Sequence, residues 1–161
     1  MMEKLKDLTM TICRRRRDVG LVVAWSILIS AIILYNFNAY HVEHPFTMGA
    51  FGSPTFTNLE RLVVLVTGFV VGFMFSDVKR LVYSYFTSMA MAYFIGVISV
   101  FLYMWFALNL GPVFQDIPFG WETVLFTAII KVFGFMIPLG LIFSLMGVVT
   151  GNLLSIFSKY A

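Results

Sequence analysis

Four long apolar runs, parted by narrow polar bands, organise this chain. The first extends from about Val19 to Tyr40, the second from about Arg61 to Ser76 and the third from about Leu81 to Leu108; the fourth lies within Trp121 to Phe157. None alternates apolar and polar residues as a membrane β-barrel strand does. A run without a polar face has no side to turn to water, so its natural solvent is lipid. There a spanning backbone satisfies its own polar groups by coiling into a helix.

About 20 helical residues cross a hydrocarbon core of about 30 Å, so the first and third runs cross comfortably and the second only just. The fourth would reach about 55 Å as one unbroken helix. Pro138 cannot donate a backbone hydrogen bond to Gly134, which predicts a kink inside that run. The pattern therefore predicts an all-α polytopic membrane protein, a bundle of four transmembrane helices. It forms one domain over residues 19–161, preceded by a basic segment at 1–18.

Composition sharpens this. Of 161 residues, 60% are hydrophobic and 12% charged, with a mean hydropathy of +0.93. A soluble domain carries roughly a quarter charged residues, so no separate soluble domain is expected. In the basic segment Leu5, Leu8 and Ile12 share one helical face among charges, which predicts a short helix on a membrane surface. The first apolar run is long and no small-residue cleavage pattern follows it, so it reads as a signal anchor.

Charge gives the orientation. Lys4, Lys6, Arg14 to Arg17, Lys79, Arg80 and Lys159 all fall on one side of the four crossings, while the loops at 41–60 and 109–120 hold no lysine or arginine and only Arg61, at the mouth of the second run, sits at the other side. Positive residues stay inside, so both termini are predicted to be cytoplasmic. Arg14, Arg15, Arg16 and Arg17 then meet the anionic lipids of the inner leaflet. Tyr35, Tyr40, Tyr103, Trp105 and Trp121 mark the outer interface; Tyr83, Tyr85 and Tyr160 mark the inner one. The arginine block has no interleaved aromatics and no folded module around it, which argues against nucleic acid as a partner.

Small residues recur at helical spacing: Gly68, Gly72 and Ser76; Ser84, Ser88, Ala92 and Gly96; Gly140 and Ser144; Gly147, Gly151 and Ser155. Such stripes let helix backbones approach closely in lipid. They serve either packing within the bundle or docking of another subunit.

The one charge deep in the fourth run is Lys131. It shares a face with Thr123 and Thr127. In one layout it lies at the outer interface and its stem snorkels outward. In the other it lies deeper and needs an acidic partner, because a charge at the bilayer centre costs about 2.5–3.5 kcal/mol. Glu60 is the first candidate for that ion pair, with Asp116 and Glu122 behind it.

The outer loop holds His41, Glu43 and His44, residue types that suit a transition metal. They are a weak candidate set, since loop histidines are ordinarily solvated. Catalytic signatures are missing: no nucleophile stands beside a base, and neither a paired carboxylate nor an HExxH motif occurs. Cys13, the single cysteine, reads as a reduced thiol beside the basic flank. No cofactor is implied.

These observations favour a non-catalytic small integral membrane subunit or accessory protein of a larger complex, acting through helix packing. Its partners are the lipid bilayer and other membrane subunits, or further copies of itself. The alternatives are a small homo-oligomeric transporter or channel with Lys131 and Glu60 near its path, and an outer-face metal-binding module using His41, Glu43 and His44.

Overall fold

The computed structural model describes the backbone of residues 2–43, 57–75, 77–114 and 118–160, and side chains over 17–39, 57–75, 77–112, 118–137 and 140–158. Every regular element among these residues is helical. Helix α1 (Met2–Glu43) is followed by α2 (Asn58–Met74), α3 (Val78–Leu102), a short α4 (Leu110–Phe114), α5 (Gly120–Met136) and α6 (Leu145–Tyr160). Among the described residues, three spans are long and apolar enough to cross a membrane, Arg17–Ala39, Val78–Ala107 and Gly120–Ser158.

Helix α1 continues unbroken from Met2 into the apolar span, because no proline interrupts it and Gly20 alone weakens a helix by only about 1 kcal/mol. The 17 residues of α2 rise about 26 Å, less than a full hydrocarbon core. Local chemistry fixes where α2 starts. Thr57 Oγ1 accepts the Glu60 N–H at 3.4 Å and the Glu60 carboxylate accepts the Thr57 N–H at 2.9 Å, a reciprocal cap that satisfies two otherwise orphaned donors.

The other ends are set by similar means. Asp77 caps α3 by accepting the Lys79 N–H at 3.0 Å. At its far end α3 widens into a π-helical turn over Tyr103–Ala107. Asn109 and Phe119 adopt left-handed backbone conformations, φ 53° and 62°, at the turns that flank α4. Asparagine takes this conformation readily, whereas a bulky aromatic does so under strain. Between α5 and α6 the chain stays helical but switches to π geometry over Ile137–Ser144. The missing Pro138 N–H is the physical reason for irregular pairing there.

Contacts between helices define their directions. Ser26 and Ser30 of α1 donate to the carbonyls of Ser88 (3.1 Å) and Ala92 (3.0 Å) on α3, so these two helices advance together and run parallel. Leu65 and Phe69 of α2 face Gly147 and Gly151 of α6, which makes that pair parallel too. Against α3, in contrast, Gly96 meets Val132 while Tyr85 meets Gly140, an antiparallel crossing. Helices α1 and α3 thus point one way, and α2 and the α5–α6 unit the other. Arg17, Lys79 and Arg80 gather at one end of the bundle.

The core lies between the two parallel pairs, where Ile29, Ile33, Phe37, Val64, Val100 and Val132 are wholly buried. Outside, large apolar side chains such as Phe86, Phe94, Phe106 and Phe126 stay exposed. An apolar exterior around an apolar core suits a lipid solvent and would be an association hazard in water.

Candidate functional site

Helices α2 and α6 approach to backbone contact. A methyl group placed on Gly72 would stand 2.2 Å from the Val148 carbonyl oxygen. On Gly147 it would stand 2.2 Å from that of Leu65, and on Gly151 2.1 Å from that of Phe69. Gly68 lies against the Ser144 carbonyl in the same way, at 2.8 Å. Two of the small-residue stripes therefore meet each other inside the bundle. The third supplies Ser88 and Ala92 to α1 and Gly96 to Val132. Ser84 is half-buried, Ser155 is buried, and Ser76 lies outside the described residues. Gly140 packs against Met136 and Met89.

Asn152 locks the foot of this interface. Its Nδ2 donates to the Phe75 carbonyl at 2.8 Å and reaches that of Gly72 at 3.5 Å. Phe75 is the C-cap of α2, so its carbonyl is among those a helix leaves unsatisfied at its end. Sequence spacing gave no hint of this role for Asn152.

A second polar contact stands at the π-helical segment. The Tyr85 hydroxyl donates to the Gly140 carbonyl at 3.2 Å, and its ring lies 5.9 Å from that of Trp25. Nearby, Trp25 Nε1 is buried without a hydrogen-bond partner.

Lys131 and Glu60, matched from sequence, have different surroundings. Glu60 is buried on the α2 cap. The Lys131 ammonium lies over the Phe37 ring, 5.4 Å from its centre. Phe37 stands two residues before the end of the apolar span of α1 at Ala39, so Lys131 is level with that end. A cation–π contact contributes about 0.5–1 kcal/mol at an exposed site and about 2 kcal/mol when desolvated. The Phe37 ring is wholly buried, so Lys131→Met is expected to lower stability by about 1–2 kcal/mol, read as a lower midpoint of thermal unfolding followed by circular dichroism. Arg61 reaches over the Phe143 ring at 5.7 Å, and its Nε, like Glu122 Oε2, is buried without a hydrogen-bond partner.

His44 and Asp116 lie outside the described residues, as do the side chains of His41 and Glu43. Among the described residues no group of three His, Cys, Asp or Glu converges on a common point. Arg17, the one member of the arginine block with a described side chain, is 54% exposed and lies 3.8 Å from Asp18.

Grooves open between the helices among the described residues. One, of about 560 Å³, runs between α1 and the start of α2, past Ile27, Ala31 and Tyr35 to Thr57 and Glu60. Another, of about 450 Å³, runs between α3 and α6 from the basic end toward the π-helical segment. Both are lined almost wholly by apolar side chains.

No protein-family model, curated protein or solved structure matches this chain.

Proposed function

We propose that the chain crosses a membrane four times with both termini in the cytoplasm. In this reading it is a non-catalytic small subunit or accessory protein of a larger membrane complex. The alternating directions of α1, α2, α3 and the α5–α6 unit support the topology. So does the cluster of Arg17, Lys79 and Arg80 at one end, which the positive-inside rule turns toward the cytoplasm. The short α2 is accommodated by modest thinning of the bilayer or by its flanking residues. Lys131 is an interfacial residue at the outer boundary, and the first turns of α5 stand beyond it.

The observation that carries the structural role is the use made of interior polar groups. Ser26, Ser30, Tyr85 and Asn152 all donate to carbonyls of a neighbouring helical element. Polar side chains engaged in this way hold helices together and are not lined up to pass a solute. The broad apolar exterior then offers area for neighbouring subunits.

Two measurements test this. The topology predicts that, in a Cys13→Ser background, Asn109→Cys reacts with a membrane-impermeant maleimide on intact cells, whereas Lys79→Cys reacts only after lysis. The reverse pattern would overturn it. For the role, tagged protein extracted from its native membrane in mild detergent is expected to bring a fixed ratio of other membrane proteins, identified by mass spectrometry. A pure homo-oligomer would sink the subunit reading and direct attention to solute flux.

A further inference from the structure

We propose that the groove between α3 and α6 is a binding site for one anionic phospholipid of the cytoplasmic leaflet, one tail lying in the groove and the phosphate resting at its basic mouth. The site requires the chain to lie in a membrane with its basic end inside. It does not require membership of a complex.

Three features select this occupant. The first is the lining. Val82 and Phe86 on one wall and Leu145, Val149 and Leu153 on the other are apolar and outward-facing. The polar atoms close by, Tyr85 Oη and Asn152 Nδ2, already donate to the carbonyls of Gly140 and Phe75. Such a trough offers a hydrocarbon tail contact and gives a polar head nothing.

The second is length. The groove follows α6 and the preceding π-helical turns from Ile156 back to Leu141, about 22 Å of helix. One leaflet with its headgroup region is about 20–22 Å deep. The trough stops beside the contact between Tyr85 and Gly140, so it accepts a tail from one leaflet and ends where the opposite leaflet begins.

The third is charge. Val78 lines the groove at the basic end, and Lys79 stands next to it, exposed, on the helix face that Val82 and Phe86 continue. By sequence spacing alone, Lys159 continues the α6 positions Leu145, Val149, Asn152 and Ile156. A basic end of this kind suits a phosphate-bearing headgroup. The α3 mouth also carries Asp77, but Arg80 stands 3.6 Å from that carboxylate, whereas the groove between α1 and α2 is lined by Glu60 and by no lysine.

The test uses the full chain, purified in mild detergent and stripped of endogenous lipid. Phosphatidylglycerol or phosphatidylcholine with the same tails is then added and the bound molecules are counted by native mass spectrometry. Wild type is expected to hold one phosphatidylglycerol per chain, with a preference of roughly tenfold over phosphatidylcholine from the two lysines. Combining Lys79→Gln with Lys159→Gln is expected to remove the preference and leave phosphatidylcholine binding unchanged. Val149→Trp, which fills the trough, is expected to lower retention of both lipids about tenfold, whereas Val70→Trp on the exposed face of α2 leaves it intact. Equal binding of the two lipids by wild type, or full retention by Val149→Trp, would overturn the proposal. So would a lipid-free dimer that Val149→Trp dissociates, which would assign the groove to a second copy. Should Val149→Trp fail to fold, Val82→Trp fills the same trough from the facing wall and is read the same way.

Discussion

Gly72→Ala is expected to lower the stability of the protein by about 2–3 kcal/mol, and Gly151→Ala by a similar amount, with valine at either position worse. The added carbon would stand 2.2 Å and 2.1 Å, respectively, from the carbonyl oxygens of Val148 and Phe69. Those atoms belong to backbone, so they cannot rotate away as the end of a side chain would. The two helices must separate, and close contact along the whole pair is lost with them. Gly20→Ala is the matching control, because its added carbon meets nothing within 4 Å. There the gain in helix propensity, up to about 1 kcal/mol, should leave stability equal or raised. Thermal unfolding in detergent, followed by circular dichroism, reads both. A Gly72→Ala protein that melts with wild type would show that α2 and α6 do not meet in this way.

Asn152→Leu is the second large effect, a loss of about 1–3 kcal/mol. The side chain bonds the carbonyl that ends α2, and a leucine there would bury that carbonyl with no donor. Ser26→Ala provides a calibrated contrast. Ser26 Oγ is shared between the Val22 carbonyl of its own helix and the Ser88 carbonyl of α3. Both acceptors lie inside helices, and an interhelical bond of this kind averages about 0.6 kcal/mol in membranes. Asn152→Leu should therefore unfold at clearly lower temperature than Ser26→Ala. An equal or smaller shift for Asn152→Leu would mean that the carbonyl of Phe75 finds another donor.

The helices themselves were legible in the sequence because long apolar runs allow little else. Their pairing was not. The stripe at Gly68 and Gly72 and the stripe at Gly147 and Gly151 can each be read from spacing, but nothing in either says that they face one another. That depends on the helix directions and on the π-helical turn over Ile137–Ser144, which rotates α6 relative to α5. Pro138 signalled irregularity there without giving its sense. The start of α2 was available in the Thr57–Asn58–Leu59–Glu60 capping pattern, yet the apolar run alone placed it near Arg61. Lys131 drew attention as a charge among apolar residues, but its place over Phe37 follows from the packing of α5 against α1, which local sequence does not encode. Asn152 drew none, being one amide in a polar-looking stretch of the fourth run.

The parallel pairing of α2 with α6 also sets an order of events during synthesis. Phe75 and Asn152, which bond in the finished fold, are 77 residues apart. In the proposed topology, at about 5–20 residues per second, α2 enters the bilayer some 4–15 s before its glycine-faced mate has been made. Over that interval a short helix with a bare backbone ridge must be held by lipid or by the insertion machinery, and any other small-faced helix nearby competes for it. The step that commits this chain to its final form is therefore the arrival of α6, and interruption before that point leaves α2 the most exposed part of the product.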